Sequence, residues 1–381
     1  MSIGWRIYND ALHQRICYYQ ENGKGLSWQD QVKLWLQYRN QHDELKVLPA
    51  NTVVCIIRRL DKSYQAFFKR RSDGVGFPKQ RKRKDFKTLE YRYNTNGTGN
   101  GCKLKFTEED RAKLYIMNVG EIKVHAHREF PENARIKQIL VSIDKEQKYW
   151  ASVQIEVPNQ TIPEHTGSTV GIDVGLVYLL ALSNGLTVEN PRWYKQAQKE
   201  RRVLGRKLNR QLRACNPQNY NENGTVKENA VIWRKSNRMR DTESKLRKLE
   251  SKITRQRKDF WDRITDELTK TYSMIALEDL TLEFMQQNKR LSMSAYDASF
   301  GIFWRMLEYK AKRTGTRLVW VDPKYTSQTC PECGFIHNEN RKTQANFTCL
   351  ECGYHENADI VGAKNILARG WVSLYNQKTA S

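Results

Sequence analysis

Apolar and polar positions alternate most cleanly between Ser168 and Gly185, STVGIDVGLVYLLALSNG. Val170, Ile172 and Val174 alternate with Gly171 and Asp173, the period of two that marks a strand. Gly175 ends the run, Val177 to Leu182 predict a second strand, and Ser183-Asn184-Gly185 is a turn signal. The pair reads as the start of a β-hairpin carrying one carboxylate, Asp173, at the tip of an otherwise apolar strand. A bare buried carboxylate is costly, so Asp173 is either capped by hydrogen bonds or a metal ligand. This stretch alone leaves both readings open.

Upstream, the pattern is first helical and then extended. Tyr8 to Gln20 is rich in helix formers. Ser27, with Asp30 at the third position after it, opens a helix over Trp28 to Arg39. A third helix is expected from about Asn51 to Arg70. Val54, Ile57, Leu60, Tyr64, Phe67 and Phe68 keep helical spacing as its core side, and cations including Arg58 and Arg59 lie between them. Pro78 stops any helix before the basic run that includes Lys79 and Arg81. From about Phe86 to Pro158 short alternating runs predict strands at 103–106, 113–117, 121–127, 136–143 and 149–157. The last two form a hairpin around Asp144 to Lys148. Such strands suggest a small barrel able to hold nucleic acid. His125 and His127 lack a third partner in sequence and read as surface or RNA-facing residues.

Beyond the anchoring hairpin, Trp193 to Thr271 reads as two basic helices split by a polar loop over Cys215 to Thr225. Arg201, Arg202, Arg206, Lys207 and Arg210 crowd the first, and Arg234, Arg238 and further cations such as Arg257 run into the second. Leu246, Leu249, Ile253 and Phe260 give a thin apolar stripe. One dry and one cationic face would suit phosphate contact, whereas a solvated coiled coil would carry more alternating acids. Met274 to Leu277 is a continuous apolar run, as in a strand buried on both faces, and Glu278 and Asp279 close it. Ligands of open α/β sheets gather at such strand ends.

Cys330-x-x-Cys333 and Cys349-x-x-Cys352, separated by 15 residues, have zinc-ribbon spacing, each pair followed by a glycine. Four thiolates predict a closed, structural Zn²⁺ site, with His337 and His355 as bystanders. After it, Ile360 to Arg369 predicts a helix with Asp359 at its start, where an acid is also an ordinary N-cap.

Composition then narrows the partners. The formal net charge is +23 over 381 residues, which points to a polyanion, nucleic acid before an acidic membrane. No apolar run approaches a transmembrane span. The remaining cysteines, Cys17, Cys55, Cys102 and Cys215, are scattered and read as free thiols of an intracellular protein. Asp173, Glu278 and Asp359 lie far apart in sequence, each at the end or start of a regular element. If they meet, they form the layout that holds two Mg²⁺ ions for phosphodiester hydrolysis.

GIDVG at 171–175, IALEDL at 275–280, LEYKAKRTGTRLVWVDPKYTSQTCPECG at 307–334 and ENADIVGAKNI at 356–366 resemble the TnpB family. RIYNDALHQRICYYQENGKGLSW at 6–28 and FFKRRSDGVGFPK at 67–79 resemble that family's N-terminal half. These are transposon-encoded RNA-guided DNA endonucleases related to the type V CRISPR nucleases. The resemblance implies an α/β fold with all-α and all-β parts. It places a helical recognition lobe at 1–85, a wedge-like β-barrel at 86–166 and an RNase H-like (RuvC) nuclease domain at 167–325 and 357–381. A zinc ribbon is inserted at 326–356. It further implies Asp173, Glu278 and Asp359 as the catalytic triad, with catalytic Mg²⁺ and structural Zn²⁺. The implied partners are a guide RNA from the transposon end and double-stranded target DNA, bound by a monomer in the cytoplasm of a prokaryotic cell. Arg58, Arg59, Lys79, Arg81, Arg201, Arg202, Arg206, Lys207, Arg210, Arg234 and Arg238 are the candidate nucleic-acid contacts. Relative to the family pattern, the chain starts at what would be the first recognition helix, so the barrel is expected to lack a strand or the start to be late. Two other functions fit parts of the pattern. An RNA-guided repressor without cleavage would lack one of the acids, and a zinc-ribbon regulator would need neither the acids nor the hairpin.

Overall fold

The computed structural model describes residues 1–93, 101–108, 111–127, 130–157, 167–230, 232–279, 292–343 and 345–379. The chain packs as two units, Met1–Gln160 and Thr161–Ser381.

The first unit opens with helices α1 (Ser2–Asn22), α2 (Trp28–Gln41), a short α3 (Asp43–Lys46) and α4 (Ala50–Lys69). Gly23, with φ of 65°, closes α1 by donating its N–H to Tyr19 O, a conformation cheap only for glycine. Ser27 caps α2 as expected: its Oγ accepts from Asp30 N at 3.1 Å and donates to the Asp30 carboxylate at 2.6 Å. α4 buries Val53, Ile56, Ile57 and Leu60 at helical spacing, whereas Phe68, expected in the core, is 71% exposed. Ile57 and Leu60 of the expected side are buried and Tyr64 packs against the core, so only the C-terminal end of the stripe departs from the expectation. A buried polar join ties the helices together: Arg15 of α1 pairs with Asp61 of α4 at 2.9 Å and with Gln31 of α2 at 2.7 Å.

The strands of this unit make two three-stranded antiparallel sheets. One has the order β1 (Thr88–Arg92), β5 (Arg135–Ile143), β6 (Tyr149–Glu156). The other joins β2 (Cys102–Glu108), β3 (Arg111–Ile116) and β4 (Gly120–His125). The expected hairpin is β5–β6, with Ile143 opposite Tyr149. Among the described residues no ladder closes the two sheets into one barrel. β1 escapes a reading by pattern because it is short and carries only Leu89 and Tyr91 as apolar signal.

The second unit is built on a five-stranded mixed sheet of order β11–β10–β7–β8–β9. β7 (Thr169–Val174), β8 (Tyr178–Leu182) and β9 (Thr187–Glu189) run antiparallel in sequence order. β10 (Met274–Glu278) lies parallel to both β7 and β11 (Arg317–Val321). Val170, Ile172, Ile275 and Leu277 are fully buried on the central strands, which explains the continuous apolar run of β10.

Helices α5 (Trp193–Cys215) and α6 (Asn237–Thr271) pair as the two basic helices expected. The connection between them runs on to Ser236, further than Thr225. There Ser236 Oγ accepts from Met239 N at 3.2 Å and caps α6. α7 (Ser292–Ala298) and α8 (Phe300–Thr314) follow, and the Trp261 ring of α6 sits wholly buried against Phe300 and Phe303. The last helix, α9 (Ala358–Thr379), is longer than the stretch that its sequence predicts.

Glycines let α9 press onto the sheet. A methyl at Gly171 of β7 would stand 2.1 Å from Ala363 O and 2.6 Å from Leu367 N. One at Gly370 would meet the Ala276 Cβ of β10 at 2.7 Å. Only side-chain-free positions allow backbone to approach backbone so closely. That contact fixes where the start of α9 falls relative to the strand ends.

Candidate functional site

Asp173 lies near the C-terminal end of β7 and Glu278 at the C-terminal end of β10. The two strands are parallel, with Leu277 in register with Ile172, so both acids reach the same edge of the sheet. Asp359 sits in the first turn of α9, which Asn357 caps by accepting from Asp359 N at 2.9 Å. Gly362, one turn on, leaves room beside Asp173: a methyl there would stand 3.2 Å from Asp173 Oδ2. The three acids predicted from separate parts of the sequence therefore converge.

Their electrostatics record the crowding. Part of Asp173 stays open to a cleft, yet its carboxyl is surrounded by protein. Burial, then the charges of Glu278 and Asp359, push its pKa up to about 7. Burial also raises the Glu278 and Asp359 carboxyls. Two contacts oppose this. The Thr326 hydroxyl donates to Glu278 Oε1, and the Arg341 guanidinium pairs with Asp359 Oδ1 at 2.9 Å. Clustered carboxylates that hold their protons tightly are stabilised by a divalent cation, and an all-oxygen donor set suits Mg²⁺. The residues fit such an ion.

The four cysteines converge as well. Cys330 Sγ lies 3.6 Å from Cys352 Sγ, Cys333 Sγ lies 3.6 Å from Cys349 Sγ, and all four sulfurs are within 4.8 Å of one another. Zn–S bonds of about 2.3 Å at tetrahedral angles put sulfurs roughly 3.8 Å apart, so the set matches structural zinc. Both halves are the same turn. Gly334 and Gly353, at φ of 75° and 73°, donate to the carbonyls of Cys330 and Cys349. Among the described residues no other three or more Cys, His, Asp or Glu ligand atoms gather so tightly. The oxygens of the three carboxylates do not all lie within 4.8 Å of one another.

The sequence-predicted cations divide into two sorts. Arg58, Lys79, Arg202, Arg206, Lys207, Arg210, Arg234 and Arg238 are exposed. Arg58 leans on the Trp28 ring at 5.7 Å. Arg59 instead gives its guanidinium to Thr88 O at 3.0 Å and stacks on Phe86, while Arg81 covers Tyr8. Arg201 reaches Tyr194 Oη at 2.8 Å and Glu250 at 3.3 Å. Arg257, counted on the cationic face of α6, is buried and pairs with buried Asp297 at 2.6 Å. Sequence missed that pair because Asp297 lies in another helix, 40 residues on. Thr326 and Arg341 were also missed. Their only signal was position, just before and within the cysteine cluster.

A cleft of about 770 Å³ opens beside the acids, with Asp173, Asp359 and Arg341 on its wall.

Two family models match this chain. "Cas12f1-like, TNB domain" covers residues 300–366, which include the cysteine cluster and most of the start of α9. "Probable transposase", the OrfB_IS605 model, covers residues 152–289 with β7, β10 and the basic helices. The solved Cas12f1–sgRNA–target DNA complex has the same fold over 95% of this chain and 80% of that one, with a TM-score of 0.59 at 17% identity. The fold and sites thus define a mixed α/β protein of Cas12f type with N-terminal helices and a zinc-finger-like cluster. Over residues 152–289 the chain is similar to the TnpB (OrfB_IS605) family, and its similarity to two relatives extends over nearly its whole length. It is 26% identical to "Putative RNA-guided DNA endonuclease InsQ" of Escherichia coli (strain K12), over 96% of this chain and 86% of the relative. A protein of Streptomyces pristinaespiralis named "Putative RNA-guided DNA endonuclease" is 24% identical, over 96% and 83%. The Cas12f1 endodeoxyribonuclease of Sulfoacidibacillus thermotolerans is 52% identical over a shorter stretch of 58 residues, 15% of this chain and 14% of that one.

Proposed function

We propose that this chain is a transposon-encoded RNA-guided DNA endonuclease in which Asp173, Glu278 and Asp359 hold catalytic Mg²⁺. One observation carries the reading: three carboxylates from distant segments meet at one sheet edge, with the Asp173 pKa pushed up to about 7 by burial and by the other two. Near full-length similarity to relatives that carry that name supports it. The second unit is then the RuvC-like nuclease domain with its zinc ribbon. In the first unit the helices act as the recognition lobe and the two sheets as a wedge. A guide RNA and double-stranded target DNA are the partners, and the exposed cations named above neutralise their phosphates.

Bound Mg²⁺ would supply an activated water and stabilise the leaving oxygen of the phosphodiester. The chain's own residues prepare that chemistry. Thr326 orients Glu278 by donating to its carboxylate. Arg341 holds Asp359 and carries a positive charge at the cleft wall, where a phosphate would approach. The start of α9 directs its positive dipole end towards the same acids. The four-cysteine turn has no open ligand position and serves as a structural support.

The test begins with sequencing the RNA that copurifies with the protein. A DNA duplex matched to that guide is then offered to the complex with Mg²⁺. Cutting that stops on chelation and returns with Mg²⁺ is the expected result. A complex that binds the matched duplex and never cuts it would favour an RNA-guided repressor.

A further inference from the structure

The cleft beside the carboxylates continues past them, over cations that hydrolysis itself does not need. It reaches from Asp173, Asp359 and Arg341 to Arg192 and Lys195 at the start of α5. A second hollow of about 580 Å³ shares Arg192, Lys195, Asn190 and Val177 with it. Together they form one trough running from the acids across the start of α5. Each hollow has the volume of a ligand-sized pocket, room for a few nucleotides of one strand.

The cations in this trough are displayed by built structure. Arg192 adopts a left-handed backbone, φ of 53°, which is unusual for a residue with a side chain. Such a conformation persists only where the surroundings impose it. Here Asn190 imposes it: its Oδ1 accepts from Arg192 N at 3.0 Å, while its Nδ2 donates to Leu176 O at 3.1 Å. One turn on, Asp297 accepts from the backbone N–H groups of Tyr194 and Lys195 at 3.1 and 3.4 Å. Asp297 is itself neutralised by Arg257, so it does not repel an anion in the trough. Arg192 and Lys195 are exposed and make no ion pair among the described residues. Glu189 is the one acid at the far end. Tyr296, next to Asp297, is 64% exposed and stands edge-on to Tyr194 at 5.9 Å, with Arg257 beneath its ring at 4.9 Å. An exposed ring with a cation behind it is a stacking face for a base.

We propose that this trough seats a single DNA strand for cutting, Arg192 and Lys195 holding phosphates next to the one hydrolysed and Tyr296 stacking a base. The inference rests on the function proposed above and assigns these three side chains as positioning residues. An acid cluster repels DNA, so a strand reaches it only where neighbouring cations offset that repulsion. The two cations do so on the approach, while guided binding of the duplex draws on base pairing and phosphate contacts elsewhere.

The experiment compares the RNA-loaded parent with Arg192→Ala/Lys195→Ala, Arg192→Lys/Lys195→Arg and Tyr296→Ala. Target cutting is timed across salt concentrations, and duplex binding is read by gel shift. The double alanine variant should melt and bind like the parent and cut about 10- to 100-fold more slowly, the scale expected when a strand is misplaced. Its cutting should also depend less on salt, by about 0.7 in the log–log slope for each lost single-strand phosphate contact. The charge-conserving pair should recover most of the rate, and Tyr296→Ala should slow cutting without changing the salt slope. A double alanine variant that cuts at the parent rate, or that loses binding in step with cutting, overturns the inference while the parent's activity stands. A parent that does not cut at all overturns the proposed function, and this inference with it.

Discussion

At the residue scale, Asp173 is held under conditions that favour its proton. An unfolded aspartate ionises near pH ~4, whereas burial and two neighbouring carboxylates push this one up to about 7. Between those values the folded protein binds a proton that the unfolded chain has released. Stability without Mg²⁺ therefore falls as pH rises from about 4 to about 7, and stays lower above it. Asp173→Asn should flatten that fall and melt at a higher temperature than the parent at pH 8. Thermal melts of both proteins over that range check it, and identical pH dependence would remove the crowding. Added Mg²⁺ should recover part of the parent's loss, because a ligand bound only by the folded state stabilises it. The Arg257–Asp297 pair makes a contrasting case. Arg257→Ala strands a buried carboxylate and should cost about 3–5 kcal/mol, read by denaturant titration. A cost below about 1 kcal/mol, the range of an exposed pair, would mean that water reaches Asp297. Sequence could show Asp173, Glu278 and Asp359, because each interrupts or ends an apolar pattern. It could not show Arg257 turning inward, since a cation on a basic helix looks the same whether or not a carboxylate waits 40 residues later.

At the scale of elements, the approach of α9 to the sheet decides whether the acids meet. Gly171 faces the helix backbone itself, so Gly171→Ala must displace α9 or the strand. The expected cost is about 1–3 kcal/mol or more, as for overpacking, together with loss of cutting even though every acid is intact. A variant that melts and cuts like the parent would show that the helix has room to spare. The cysteine turns pack on the same helix, Cys330 and Cys349 against Ala358 and Val361. Cys330→Ser should lower bound zinc, measured by metal analysis, and loosen residues 326–356, measured by hydrogen exchange. Full zinc content in that variant would exclude Cys330 as a ligand. β7, β8 and β10 were legible from the alternation or continuity of their apolar residues, and the cysteine pairs from spacing. β1 was not: Leu89 and Tyr91 do alternate with polar neighbours, but five residues are too short a run to stand out. The exposure of Phe68 was equally hidden, since periodicity alone favoured it as core with Ile57 and Leu60, and so was the Arg15–Asp61 pair between helices.

At the scale of the whole molecule, the two units carry different sets of charged residues. Exposed cations occur in both, but the carboxylates and the cysteine cluster belong to the second. The net charge of +23 suits a polyanion partner, and in the function proposed above cutting would depend on the three carboxylates at one sheet edge. Sequence alone gave the acids no reason to converge, beyond their family resemblance. Their convergence follows from parallel register between β7 and β10 and from glycines that admit α9. Binding and cutting should therefore separate cleanly. The most direct test measures both side by side, on one guide-matched DNA duplex, for the RNA-loaded parent and for Asp173→Ala, Glu278→Ala and Asp359→Ala. The expected result is duplex binding near the parent level in all three, with cutting abolished in each. A variant that cuts near the parent rate, or one that loses binding together with cutting, would contradict a shared metal site formed by these carboxylates.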